Sequence, residues 1–404
     1  MTNALASRMA RAAVPLAEAL AALPLARYEI VLRAEADAHL PRFTGALLRG
    51  AFGFALKRAV CAMPHGDCAR CMLESRCVYP QFYETRWQPN AAGQSHDAPH
   101  PFVLHAPVLK KNADCGLQNA DSAEPIADSG TLPSAISNPQ LQKGDSLTFT
   151  LALLGRAHEA LPYVVYAFDE LARRGLTARR HPFTLAAVNA LAPDGERHTV
   201  YTHETQQLTA FNAPPLTLND YVTARTNQLI SDCGLQNADS GEAVTPSPRH
   251  PVAPSLRLRF LTPTRFKVAG QLQWRTDFGL LARNLVRRVT LAVRAHGSPD
   301  VWLDVAALLA RVAEVRSYDE YLRWWDFGRY STRQQTEMKL GGFVGNVGFR
   351  GDALPDFLPL IAAGEVLGVG SATTFGLGQY RVRAYAAEDA ARTYAPAPLG
   401  AECL

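Results

Sequence analysis

Two stretches of this 404-residue chain switch between a two-residue and a helical apolar period in the same order, and that order narrows the possible folds sharply. In the first stretch, RYEIVLRAE (27–35) puts Tyr28, Ile30 and Leu32 on one face, the period of a strand. Thr44 then stands where a cap would, ahead of a helix expected to reach about Val60. Its apolar stripe is Leu47, Leu48, Ala51, Ala55, Leu56 and Ala59. PHPFVLHAPVL (99–109) and KGDSLTFTLALLG (143–155) read as strands. Residues 158–174 read as a helix ending at Gly175, and FTLAAVNAL (183–191) closes the unit as a strand. This β-α-β-β-α-β order is the ferredoxin-like (RRM-like) arrangement.

The order recurs after residue 255. SLRLRFLTPTRF (255–266) alternates as a strand, and 277–296 is strongly amphipathic. A helical stretch is expected at about 301–326, strands at 335–341 and 343–350, a short helix at about 354–363 and a last strand at 378–385. The fold class expected is therefore α+β, two tandem ferredoxin-like domains with low-complexity loop insertions. The parts are an N-terminal arm (1–26), a first domain (27–191), a linker or insertion (192–254), a second domain (255–385) and a tail (386–404). Residues 112–142 have no Lys, Arg or aromatic residue, and 226–255 have only Arg249 and no aromatic. Neither segment can bury enough apolar surface to offset its ordering entropy, so both are expected to be loops. They share the string DCGLQNADS (114–122 and 232–240), which removes Cys115 and Cys233 from any metal argument.

Four of the seven cysteines fall within 17 residues: Cys61, Cys68, Cys71 and Cys77. Without an export signal they read as reduced thiols of a cytoplasmic protein. Their spacing suits a tetrahedral metal, with structural zinc expected and an iron–sulfur cluster as the alternative. Pro15, Glu18 and Pro24 interrupt the apolar N-terminal stretch, so no membrane span is expected there.

The net charge is only +4, but residues 255–350 hold 16 Lys+Arg against 8 Asp+Glu. Tyr318, Tyr321, Trp324, Trp325, Phe327 and Tyr330 interleave with Arg323, Arg329, Arg333 and Lys339. Cations find phosphates and aromatic faces stack on unpaired bases, a pairing that suits RNA. For Trp324 and Trp325 a core position stays open as the alternative. GGFVGNVGF (341–349) and GVGSATTFGLGQY (368–380) together hold eight glycines. Around Gly370, Gly376 and Gly378, with Ser371, Thr373, Thr374 and Phe375, they are expected to offer backbone donors to phosphate. His39, His65 and His105 are the acid–base candidates.

RYSTRQQTEMKLGGFVGNVGFRGD (329–352) and FLPLIAAGEVLGVGSATTFGLGQYRV (357–382) resemble the signature of CRISPR-associated precursor-RNA processing endoribonucleases of the RAMP superfamily. FTGALLRGAFGFALKRAVC, the cysteine cluster, PFVLHAP and LRFLTPTRF are similar to one branch of that family. The resemblance implies cleavage of CRISPR repeat RNA without a metal, by attack of the ribose 2′-OH. The products would be a 2′,3′-cyclic phosphate and a 5′-hydroxyl, with the guide RNA often retained for an effector complex. Relatives carry a histidine within the helix where Phe54 stands here, and Gly-Lys where this chain has Gly370-Ser371. The resemblance therefore leaves His39 and His65 as acid–base candidates, Arg49 or Lys57 for phosphorane charge, and Tyr83 as a helper. Arg329, Arg333, Lys339 and the glycine-rich loop are the expected RNA contacts. The alternative is a catalytically inactive RNA-binding subunit of an effector complex.

Overall fold

The computed structural model describes residues 13–63, 67–85, 98–109, 140–209, 216–232, 255–331 and 336–385. His65, Arg333, the loop at 112–139, most of the second low-complexity segment and the tail from 386 lie outside the described residues, as do the side chains of Arg329 and Lys339.

The first domain is built from β1 (Leu25–Ala34), α1 (Gly45–Val60), a short α2 (Val78–Tyr83), β2 (Phe102–His105), β3 (Ser146–Leu154), α3 (Leu161–Arg174), β4 (Phe183–Leu191) and β5 (Arg197–Thr202). Its antiparallel sheet runs β2-β3-β1-β4-β5. The first four strands in that order are the ferredoxin-like arrangement, and β5 extends the sheet within the stretch read from sequence as linker. The helices cover one face: Phe52 of α1 stacks on Phe168 of α3 at 4.7 Å, and Phe149 of β3 lies beneath at 5.4 Å from Phe168. Thr44 precedes α1 as expected, but its hydroxyl makes no cap bond. It donates instead to the Pro107 carbonyl at 2.9 Å, tying the helix start to the chain leaving β2.

Helix α4 (Leu218–Asp232) also lies in the stretch read as linker, and it spans the two domains. Its Tyr221 hydroxyl donates to Leu191 O of the first domain, while Arg225 pairs with Glu365 of the second at 2.6 Å.

The second domain follows with β6 (Ser255–Thr264), a small hairpin of β7 (Phe266–Val268) and β8 (Gln271–Gln273), α5 (Phe278–His296), β9 (Arg316–Ser331), β10 (Thr336–Arg350), α6 (Leu358–Leu367) and β11 (Tyr380–Tyr385). Its sheet runs β9-β10-β6-β11, the same permutation of strands as in the first domain. Asp277 caps α5, its Oδ1 accepting from Leu280 N at 2.6 Å.

Two sequence expectations need correction here. The stretch 301–326 is not helical throughout: only Ala306–Ala310 is an α-helix, and β9 begins at Arg316. A register shift between Tyr318 and Tyr321, with Asp319 left-handed at φ 46, breaks the alternation that would have marked the strand. The two short strands at 335–341 and 343–350 are one strand, β10. Gly341 and Gly342 continue it because neighbours occupy their side-chain space: a Cβ at Gly342 would sit 2.5 Å from Thr264 O.

The outer face of the first sheet packs on the second domain, so Leu25, Val103, Ala152 and Leu154 share a core with Tyr221, Leu281 and Ile361. Coverage on both faces explains the unbroken burial of Leu151–Leu154 at the end of β3.

Candidate functional site

The start of α1 and the glycine-rich loop between α6 and β11 meet at the domain junction. Gly45, the first residue of α1, faces Phe375 O so closely that a Cβ would lie 2.0 Å from it. One turn on, Arg49 reaches into the loop. Its Nε is 3.3 Å from Thr374 Oγ1, and its guanidinium lies 4.2 Å from the Phe375 ring centroid. Its Nη2 is 3.2 Å from His100 Nε2, and the Tyr83 ring centroid is 5.2 Å away.

The bonding pattern assigns the histidine tautomer. Arg49 can only donate, so His100 Nε2 accepts and Nδ1 carries the proton. Nδ1 is 3.2 Å from Thr85 Oγ1, whose own hydrogen goes to Ala98 O at 2.9 Å. Arg49 fills the Nε2 lone pair here; a phosphate that drew the guanidinium away would free that nitrogen to take a hydroxyl proton beside the cation.

Of the five residues expected from sequence to act in catalysis, Arg49 and Tyr83 are brought together. Tyr83 is half-buried, its hydroxyl donates to Arg49 O at 2.9 Å, and desolvation of that hydroxyl pushes its pKa far above the ordinary range. The hydroxyl thereby braces the backbone of α1 at Arg49. Lys57 lies two turns further along α1, about 12 Å at 1.5 Å per residue, over the Tyr79 ring at 5.3 Å. Phe54 is 64% exposed, with the Arg58 guanidinium 5.9 Å from its ring. His39 lies elsewhere, its ring 6.2 Å from that of His181, on an open depression of about 470 Å³ also lined by Pro41, Thr177 and Arg179.

His105, a candidate from sequence, is spent at the domain junction. Its Nε2 donates to Val366 O at 2.9 Å, and burial, with Arg27 and Arg381 nearby, lowers its pKa to about 3. His100, in the same sequence string, was missed. The available signal was its place just before a proline at the entry to β2, opposite the helix carrying Arg49.

Part of the glycine-rich loop's set of backbone donors is spent within the protein. The N–H groups of Ser371, Phe375, Gly376 and Gly378 go to Arg265 O, Ala372 O, Thr373 O and Pro263 O, and that of Gln379 goes to Thr262 Oγ1. Thr373, Thr374, Gly376 and Gly378 are buried, whereas Ser371 is exposed. Gly378 has φ 72, and a Cβ there would lie 1.9 Å from Val369 O, so glycine is needed to close the loop. Trp324 and Trp325 are half-buried. Trp325 packs edge-on to Phe43 at 6.2 Å beneath Arg42, so this ring holds the β9–β10 hairpin against the first domain, while Trp324 Nε1 donates to Asp326 Oδ1.

Cys61 ends α1, Cys68 and Cys71 flank a single 3₁₀ turn, and Cys77 precedes α2. All four are half-buried free thiols. Burial raises the Cys68 pKa, opposed by Lys57 and reinforced by Glu84, Cys61 and Cys77. Among the described residues no three His, Cys, Asp or Glu side chains form a group able to hold a metal ion. Four thiol donors nonetheless match zinc chemically. Nor is any helix among the described residues long and apolar enough to cross a membrane.

Residues 258–380 match the family model described as CRISPR-associated endoribonuclease Cas6, and residues 23–213 match a model described as an N-terminal domain. An uncharacterised protein of Archaeoglobus fulgidus is 22% identical over 349 residues, spanning 85% of this chain and 93% of that one. Among solved structures, Thermus thermophilus Cas6 is 14% identical, covering 90% of this chain and 98% of its own with a TM-score of 0.43. A Cas6-RT-Cas1 chain in a partial complex with Cas2 is 11% identical, covering 90% of this chain and 46% of its own with a TM-score of 0.48.

Proposed function

We propose that this protein is an endoribonuclease of the Cas6 kind, which cuts CRISPR repeat RNA at the junction of its two domains and keeps the product. The observation that carries this reading is the Arg49–His100 pair set against the glycine-rich loop, within a chain whose second domain matches the Cas6 model. Arg49 moves from His100 Nε2 onto the phosphate; the freed Nε2 takes the proton of the ribose 2′-OH, and the 2′-oxygen forms a bond to the adjacent phosphorus. The P–O5′ bond breaks, leaving a 2′,3′-cyclic phosphate, and the departing 5′-oxygen takes up a proton to become the 5′-hydroxyl. Arg49 neutralises the non-bridging oxygens as charge builds on them. Of the two sequence candidates for the leaving-group acid, His39 faces the depression beside His181, away from Arg49, which leaves His65.

Incubation with the cognate repeat RNA in EDTA tests this directly. Site-specific cutting with a cyclic-phosphate end is the expected result. Tight binding without cutting would instead support the second reading, a non-catalytic RNA-binding subunit of an effector complex. That reading is favoured by Phe54, which stands exposed where the resemblance places a histidine.

The cysteine loop is proposed to hold one structural zinc through Cys61, Cys68, Cys71 and Cys77. Zinc there would fasten the end of α1 to α2 and supply no open position to substrate. One equivalent of zinc per chain, and a lowered melting temperature on chelation, are expected. Iron with an iron–sulfur absorption band would support the cluster instead.

A further inference from the structure

The second domain carries a small hairpin that the cleavage chemistry does not use. Ala269 and Gly270 join β7 to β8 with φ of 48° and 81°, the left-handed pair that a two-residue hairpin turn requires. The root is fixed. Phe266 is buried 5.3 Å from the Phe343 ring, Arg265 O accepts from Ser371 N, and Arg265 Nη1 donates to Gly341 O at 2.6 Å. The hairpin is thus anchored on both the glycine-rich loop and β10.

Beyond that root the side chains stand in solvent. Lys267 is exposed, and Trp274 is 66% exposed with the Arg275 guanidinium 5.5 Å from its ring. Arg275 Nε is 3.7 Å from Glu320 Oε1, and the next residue on β9, Tyr321, is 63% exposed. Two large rings are therefore presented outward, on adjoining elements linked by an ion pair. Folding leaves their apolar faces in water, the usual mark of a contact surface. Residues 265–294 hold seven Lys or Arg and one Asp, so the surrounding charge favours a polyanion.

We infer that Trp274 and Tyr321 form a stacking shelf for unpaired bases of the bound RNA. Arg275 and Glu320 hold the two rings in register, and Lys267 meets a phosphate beside them. A π-face accepts any base, so the shelf adds affinity without reading sequence. It would hold the strand as it passes the glycine-rich loop to which Arg265 is bonded. This inference rests on the proposed RNA-binding function.

The test uses the full chain with a fluorescein-labelled oligoadenylate 12-mer and an abasic 12-mer of equal charge. Trp274→Ala should weaken oligoadenylate binding about 5- to 100-fold and Tyr321→Ala less, while Trp274→Phe should stay within about threefold of the parent. On the abasic strand the parent and Trp274→Ala should bind alike. Oligoadenylate should quench the tryptophan fluorescence of the parent, and Trp274→Phe should remove most of that quench. If the parent binds oligoadenylate and Trp274→Ala binds it equally well, the shelf is wrong while the RNA reading stands. An equal loss on both probes would assign Trp274 to folding or charge and overturn the stacking role. A parent that binds neither probe overturns the shelf and the RNA-binding premise together.

Discussion

The two domains repeat one strand order but divide the work between them. In the first, the helix after the opening strand presents a polar face at its start, where Arg49 meets His100 across the chain entering β2. In the second, the equivalent helix α5 turns Leu281, Leu285 and Val289 to the core, and α6 is buried on nearly every side. The second domain contributes instead a closed glycine-rich loop, a basic outer surface and the hairpin bearing Trp274. On the proposed reading, a single fold supports chemistry in one copy and shape with charge in the other. The outcome depends on which side chains fill the helix start and the loop before the last strand.

Breaking that division should have its largest effect in the first domain. His100→Ala is expected to lower single-turnover cleavage at saturating RNA by about 10²–10⁴-fold with RNA affinity little changed. An unchanged rate would remove His100 from the chemistry. Arg49→Ala should cost about 10²–10³-fold in the same assay. Arg283→Ala, on the corresponding helix of the second domain, should leave that rate intact. If the two arginine variants fell equally, the proposed asymmetry between the domains would be lost.

The junction itself responds to acid. His105 and His296 are held neutral by burial, at about 3 and about 4, each donating to a carbonyl across the interface. In the unfolded chain both take up a proton near 6.5, so the unfolded state binds more protons below that pH. The stability they contribute is present above about pH 6.5 and is lost as pH falls toward 4 and 3. Between pH 7 and pH 5 the loss should be about 2 kcal/mol per histidine, and His105→Gln should remove its share. Denaturant midpoints that stay flat over this interval in the parent would contradict that account.

The smallest effect is expected on the second domain's side of the junction. Glu365 pairs with Arg225, and its other oxygen accepts from Val382 N at 2.9 Å. Glu365→Gln keeps an acceptor for Val382 but removes the charge, and should cost about 2 kcal/mol in equilibrium unfolding. A cost near zero would mean that the α4 strap contributes little to holding the domains together.

Strand and helix periods are local properties, so β1, β3, α1, α3, β6 and α5 were legible wherever one face meets the core and the other meets water. The reading failed at 316–326, where a bulge shifts the phase of alternation, and at 192–232, where β5 turns back on β4 and α4 takes its partners from distant segments. The candidate site was half visible. Arg49, Tyr83 and Thr374 could be named from the chain. Which histidine joined them could not, because His100 and His105 share one short string and differ only in what packs on each.

What the sequence determined alone is therefore the repeated β-α-β-β-α-β order and the basic, aromatic character of the second half, since both follow from residue spacing and charge. Tertiary structure decided the rest. It placed Thr374 beside Arg49 from 325 residues away. It set His105 as a neutral strut at the domain junction, and it engaged several of the loop N–H groups within the protein. Those outcomes depend on which distant surfaces exclude water from a group and which carbonyls reach it, and no local spacing records either.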